Sequence, residues 1–354
     1  MRLLFLYTQD RASSPGSFAT EGLFGLFLAM VRAKAVDQIH VLIDSNAVPG
    51  LVEYCPGFTA EAGRVSENIL KPGDVVFVRG GFKAWLPFIA AARKNGHWML
   101  FYGANTGRER WPFWHVIFDD TSGKGNRLDL LGRLWLDYRK PVNESIFRCY
   151  PDAEPIYDLC IGASHIHDKK GQWRGVRVAK AYRDMYDRDL RCVLPGAIRR
   201  GVETNKAIKE MMDLALNIDL PGMLSRHSLA TVLSQSRLFC HLGSGGQGDR
   251  GPMEAMRCGC PLIIGFSQYH APWVWQNDKM CFVPENPDDY QAIAEYIHDT
   301  SGIVTPDVRR DVSAYFSSRA GMDAVIAPRM QRLFNCLKRL KTPDVPALAA
   351  EYGL

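Results

Sequence analysis

Between Arg237 and Phe266, in RLFCHLGSGGQGDRGPMEAMRCGCPLIIGF, four glycines fall within the six residues Gly243 to Gly248, and Glu254 follows shortly after. Glycines let a ligand approach the backbone closely, and a helix starting behind them adds exposed N–H groups and the positive end of its dipole. The chemistry this suits is the holding of an anionic or polyhydroxylated ligand, with Glu254 about one turn into the helix as an acceptor for sugar hydroxyls. The same glycines also suit a tight turn with no ligand. Gly16 and Ser17 present a similar choice, since they join an apolar run, Leu3 to Tyr7, to a helical pattern. Either they bind a phosphate at a helix start or they only connect two elements.

The elements around these residues follow from the pattern. Apolar runs at Leu238–Leu242 and Leu262–Phe266 bracket the glycines, giving strand, glycine loop, helix, strand. Upstream, buried-strand runs recur at Leu3–Tyr7, His40–Ile43, Val75–Val78, Trp98–Tyr102 and Val116–Phe118, with helical patterns over Phe18–Lys34, Lys83–Lys94 and Leu128–Arg139. That alternation predicts an α/β domain with a parallel sheet, whose ligand crevice lies at the strands' carboxyl ends. Arg79, Asn105, Arg108, Asp119, Asp120 and Lys124 sit in loops at those ends and mark that face.

The segment PVNESIFRCYPDAEP has three prolines and no periodicity, and reads as an interdomain linker. A second alternating pattern follows. It has strands at Tyr157–Ile161, Cys192–Leu194, Ile218–Leu220 and Met280–Val283, and helices over Arg174–Tyr186, Asn205–Leu216 and Ser225–Gln235. Asp288 or Asp289 caps a helix running to about His298, and two amphipathic segments, Asp307–Phe316 and Met322–Leu340, close the chain.

Composition narrows the function classes. With 354 residues, 47% hydrophobic and 23% charged, the chain matches a globular protein of about two domains. A charge of +5, from 43 basic and 38 interspersed acidic residues, suits a nucleoside diphosphate but lacks the clustered basic face of a nucleic-acid binder. Nine cysteines lie mostly inside apolar runs without a C-x-x-C pair, as small buried hydrophobes of a reducing, cytoplasmic compartment. LLFLY is too short for a signal peptide and Leu23–Val31 too short to cross a bilayer, so no membrane span is expected. His165 and His167 form an H-x-H without further ligands, which reads as structural rather than metal-binding, and His270 is a candidate to line a cleft.

GPMEAMRCGCPLIIGF followed by VPENPDDYQAIAEYI resembles the retaining GT-B glycosyltransferases of family 4, which carry an "LEAMACGTPVI" segment and then a "VPPDDPEALAEAI"-like strand and helix. PVNESIF, GASHIHDKKG, LPGMLSRHSLATVLSQSRLFCHLG and the terminal VRRDVSAYFSSRAGMDAVIAPRMQRLF resemble further family segments in the same order, over about Lys140 to Leu337. The implied fold is two Rossmann-like domains facing across a cleft. Residues 1–145 would form the acceptor side and residues 146–320 the donor side, with residues 321–354 crossing back onto the first domain. The implied reaction moves a sugar from a UDP- or GDP-sugar to an acceptor hydroxyl with retention, and without a metal or other cofactor. The acceptor is left open among glycans, lipid-linked saccharides, proteins and modified nucleic acids, and a homo-oligomer is compatible.

The resemblance also assigns residues. Lys170 matches the lysine of the family's "KG" and would face the pyrophosphate, with Ser164 where the family often has arginine and Lys169 or Arg250 as substitutes for it. Glu254 would accept hydrogen bonds from the ribose, Met223 and Leu224 would flank the nucleobase, and Gly16 and Ser17 would close on the diphosphate. The family's first glutamate is replaced by Gly246, so backbone from Gly246 through Gly248 to Asp249, with the Gln247 and Asp249 side chains, would hold the sugar. Arg79 and Tyr102 occupy the strand ends where the family often has a histidine. A nucleotide-sugar epimerase and a non-catalytic nucleotide-sugar or glycan binder share this architecture.

Overall fold

The structure is a computed structural model that describes all residues except 9–14, 45–48, 64–66, 80–84, 104–106, 120–124, 163–164, 167–169, 199–204, 244–249, 266–273 and 275–279. It divides into two compact units, one formed by Met1–Asn143 with Ala320–Leu354 and the other by Glu144–Arg319. Among the described residues no helix is long and apolar enough to cross a membrane.

The first unit is built on nine strands: β1 (Arg2–Thr8), β2 (Gln38–Asp44), β3 (Gly50–Cys55), β4 (Phe58–Ala62), β5 (Val75–Arg79), β6 (Trp98–Tyr102), β7 (Val116–Asp119), β8 (Arg127–Leu128) and β9 (Leu134–Asp137). Their order is β3-β4-β2-β1-β5-β6-β7-β9-β8, parallel except for the antiparallel pairs β3–β4 and β8–β9 at the two edges. Strand alternation splits the apolar runs between two faces. Leu3, Phe5 and Tyr7 pack with α1 (Gly22–Arg32) and with the late helices α9 (Ala327–Leu340) and α10 (Val345–Ala350). Leu4 and Leu6 pack with Phe88, Ile89 and Ala92 of α2 (Leu86–Lys94). Both faces being covered explains why these strands read as continuous hydrophobic runs.

The second unit carries six parallel strands in the order β14-β12-β10-β15-β16-β17, and a separate parallel pair of β11 (His165–Ile166) with β13 (Ala197–Ile198). The six are β10 (Tyr157–Ile161), β12 (Cys192–Val193), β14 (Ile218–Asp219), β15 (Ser236–His241), β16 (Leu262–Ile264) and β17 (Cys281–Phe282). The helices here are α3 (Gln172–Tyr186), α4 (Asn205–Asp213), α5 (Arg226–Ser234), α6 (Arg250–Arg257) and α7 (Tyr290–Ser301), and α8 (Pro306–Ala320) follows. The chain starts at β10 in the middle, winds outward to one side, then returns to β15 and winds to the other. The order therefore reverses between β10 and β15, and the carboxyl ends of that pair are where doubly wound sheets hold their ligands.

Two expectations need correction. Leu128–Arg139 is not helical: β8 and β9 form a hairpin there, with Leu134 and Leu136 buried on alternate positions and Gly132 at a positive φ of 68° in the turn. Asp129 accepts the backbone N–H groups of Leu131 and Arg133 and pairs with the Arg133 guanidinium at 2.6 Å. That i,i+4 ion pair imitates a helical signature while closing a turn. The Phe18–Lys34 helix is interrupted: a 3₁₀ turn at Pro15–Thr20 leads to an extended Glu21, and the α-helix begins only at Gly22. The β3–β4 hairpin had no counterpart in the sequence reading. Of the two proposed caps, it is Asp289 that accepts the Ala292 N–H, at 3.0 Å.

His115, buried between β6 and β7, makes the fold sensitive to acid. Met99 donates its backbone N–H to Nδ1 at 2.9 Å, the Arg93 guanidinium lies against Nε2, and the Trp98 ring packs edge-on. Burial, then the Arg93 charge, hold this imidazole's pKa down to about 3. The unfolded chain protonates the same group near 6.5, so between those values the unfolded state binds the extra proton and stability falls as pH is lowered. Urea denaturation of the wild type between pH 6 and pH 4 is expected to carry a contribution of about 1.4 kcal/mol per pH unit that His115→Gln lacks. Equal slopes for the two proteins would exclude this origin.

Candidate active site

Close packing at the carboxyl ends of β10 and β15 centres on the backbone of Leu242 and Gly243, immediately after β15. Gly171 has φ of +69° and caps the start of α3, and a Cβ placed there would lie 2.3 Å from Leu242 C and O and 2.5 Å from Gly243 N. A Cβ on Gly265, at the end of β16, would come within 3.0 Å of Leu242 Cα. Lys170–Gly171 and the base of the glycine loop are thus pressed together with no side chain between them. Both belong to connections that leave the two strands flanking the reversal point.

Two side chains fix this arrangement, and a third pairs with Glu254. Arg174 donates to Leu242 O at 3.3 Å and makes a two-pronged pair with Asp288 at 2.7 and 3.3 Å. The hydrogen bond from Arg174 holds the Asp288 carboxyl below its ordinary pKa. His241, buried at the end of β15, accepts the Gly243 N–H on Nδ1 at 3.2 Å and so sets the direction in which the loop leaves the strand. Arg226, the first residue of α5, donates from Nη1 to Oε1 of Glu254 at 2.9 Å.

The expected residues are placed as follows. Lys170 is half-buried directly before Gly171, Arg250 is half-buried at the first position of α6, and Glu254 is 4% exposed on the same helix. Met223 is exposed and Leu224 half-buried, just before Ser225, whose side chain caps α5 by accepting the Ser228 N–H. Gly16 and Ser17 belong to the first unit's 3₁₀ turn, where Ser17 O accepts from Thr20 Oγ1 at 2.9 Å. Ser164, Lys169, Gly246, Gln247, Gly248 and Asp249 lie outside the described residues, as do Asn105, Asp120, Lys124, His167 and His270.

Arg174, Arg226 and His241 were missed. Arg174 lies four positions after Lys170 and was findable by helical spacing. Arg226 reaches a partner 28 residues away, for which no local signal exists.

At the carboxyl edge of the first unit's sheet, Arg79 lies between the rings of Tyr7 and Tyr102, 5.3 and 5.2 Å from their centroids, and 3.7 Å from the buried Glu21 carboxylate. Asp119 is buried and paired with Arg127 at 3.0 Å. The Arg108 carbonyl accepts from Trp114 Nε1 at 2.8 Å.

Solved structures share this architecture end to end. Sucrose-phosphate synthase of Thermosynechococcus elongatus superposes with a TM-score of 0.69 at 13% identity, over 96% of this chain and 99% of that one. Trehalose-6-phosphate synthase OtsA gives 0.68 at 11% identity, again over 96% and 99%. The chain has the GT-B fold. Anabaena HepE, solved with UDP-glucose, gives 0.61 at 11% identity over 95% and 99%. No protein-family model matches the chain, and no curated protein matches it in sequence.

Within this GT-B chain, the contact of Gly171 with Leu242–Gly243 is directly testable. Gly171→Ala should cost about 2–4 kcal/mol, from the left-handed backbone and the backbone clash together. Gly73→Ala has φ of +80° but nothing within 4 Å of its Cβ, and should cost only the conformational part, about 1–2 kcal/mol. Chemical denaturation of both variants measures the difference, and equal losses would mean that the close approach contributes nothing.

Proposed function

We propose that this chain is a retaining glycosyltransferase that moves a sugar from a UDP- or GDP-sugar to an acceptor hydroxyl. The observation that carries the reading is Gly171 seated on Leu242–Gly243 at the strand-order reversal. It brings Gly171, next to Lys170 at the start of α3, against Gly243, the first residue of the glycine loop, and Glu254 lies on the helix that follows in the chain. Support for a uridine nucleotide comes from HepE, which has been solved with UDP and with UDP-glucose.

In the reaction the bond between the sugar's anomeric carbon and the β-phosphate oxygen breaks while a bond to the acceptor oxygen forms on the same face. Charge builds on the departing diphosphate. Lys170 and the positive end of α3 are the groups assigned to stabilise it, with Arg250 as a second cation and no metal. Glu254 accepts the ribose hydroxyls, and the base lies beside Met223 and Leu224. The transferred sugar is assigned to the backbone of Gly246 to Asp249 with Gln247 and Asp249 as side-chain partners, Asp249 being the carboxylate nearest in sequence to the missing first glutamate. That replacement by Gly246 is also what favours a second reading, a nucleotide-sugar binder without turnover.

Incubation with UDP-glucose and GDP-mannose, followed by chromatography of the released nucleotide, tests the assignment. Slow donor hydrolysis is expected in the wild type. Lys170→Ala should lower kcat by about 10²–10³-fold, and Glu254→Ala should weaken nucleoside diphosphate affinity by about tenfold or more. Unchanged affinity in both variants would refute the site. Tight binding with no release of nucleotide under any acceptor would establish the binder.

A further inference from the structure

Glu254 is an unusual residue to find already occupied. Its side chain is 5% exposed and Oε1 receives Arg226 Nη1 at 2.9 Å, while Arg226 itself is 23% exposed. The arginine is the first residue of α5, directly after the capping Ser225 and two residues after Leu224. It therefore reaches from the segment beside the base to the acid assigned to the ribose. A carboxylate offers about four lone-pair positions over its two oxygens, so one bond from Arg226 leaves capacity for two neighbouring hydroxyls. A buried carboxylate without a fixed donor would instead turn toward whatever partner it finds, since leaving it unpaired in a poorly solvated site is costly.

We infer that Arg226 is a positioning residue that orients Glu254 toward the vicinal hydroxyls of the donor's ribose, so that selection of ribonucleoside over 2′-deoxyribonucleoside diphosphates depends on Arg226. This rests on the nucleotide-sugar reading above. It extends that reading to the substrate class, because 2′-deoxynucleotide-linked sugars are then poor donors. Arg226 acts through its bond to Glu254, so its removal has a signature distinct from the loss of a phosphate contact. Binding of ribose-bearing nucleotides weakens, whereas binding of nucleotides that already lack the 2′-hydroxyl changes much less.

The test is titration calorimetry of UDP, GDP, 2′-deoxy-UDP and 2′-deoxy-GDP into the wild type, Arg226→Ala, Arg226→Lys and Glu254→Ala, with thermal melts run in the same buffer. The wild type should prefer one ribonucleotide over its deoxy form by about tenfold, the effect of a hydrogen bond to a charged group. Arg226→Ala should bring that ratio close to one, Arg226→Lys should restore part of it, and adding Arg226→Ala to Glu254→Ala should have little further effect on it. Arg226→Met, which keeps the stem, replaces Arg226→Ala if the latter fails to fold. An equal loss for ribo and deoxy forms, or a lowered melting temperature with the ratio intact, overturns the inference and leaves the nucleotide-sugar reading standing. A wild type that binds none of the four nucleotides overturns both.

Discussion

Much of the second unit depends on the absence of two side chains. Gly171 and Gly265 approach the Leu242 backbone so closely that a methyl group on either would press on main chain, the one kind of neighbour that cannot rotate away. This contact ties the connection after β10 to the connection after β15. These are the two strands between which the sheet order reverses, where a Rossmann-like sheet opens its crevice. Arg174 and His241 then hold the junction by hydrogen bonds to Leu242 O and from Gly243 N–H. The positions of Lys170 and of Gly243, where the glycine loop begins, are consequences of this packing.

The core beneath the junction is built so that it adds no chemistry of its own. Cys160, Cys192, Cys240 and Cys260 are fully buried in or beside the central strands, and burial pushes the thiols of Cys240 and Cys260 up to about 12. At neutral pH they are packing groups, since the thiolate is the reactive form. Polar groups in this unit are instead met by arginine. Asp158, although burial alone would raise its pKa, is held below the ordinary value by hydrogen bonds from Arg191, and Glu144 and Glu210 pair with Arg257 and Arg177. Arginine suits this task because its planar fork binds a carboxylate at two points.

The strand–glycine–helix–strand unit and the buried parallel strands were legible because each is a local pattern: a run, a cluster or a period. The family-like motifs added order along the chain, and Lys170 and Glu254 came from them. What escaped were pairings over distance. The Leu128–Arg139 stretch carried both a helical charge spacing and a strand alternation, and edge pairing with β7 decided between them. The β3–β4 hairpin is only half-covered on β3, so it lacked the apolar signature of its neighbours. Arg226 could not be read because the carboxylate it meets is on another helix.

The two units repeat one electrostatic device. Glu21, at the start of α1, faces Arg79 from the end of β5, and Glu254, early in α6, faces Arg226 from the start of α5. In both cases the acid is buried and the arginine is partly exposed, a geometry in which desolvation offsets much of the attraction. A well-packed apolar pair at either place would hold the fold as firmly or more so. What an apolar pair lacks is a set of donors and acceptors fixed in direction at the edge of a parallel sheet, already desolvated and needing no reorganisation when a polar ligand arrives. Net stabilisation by such pairs is small, and under the proposed function their fixed donors and acceptors would serve polar recognition at the sheet edges.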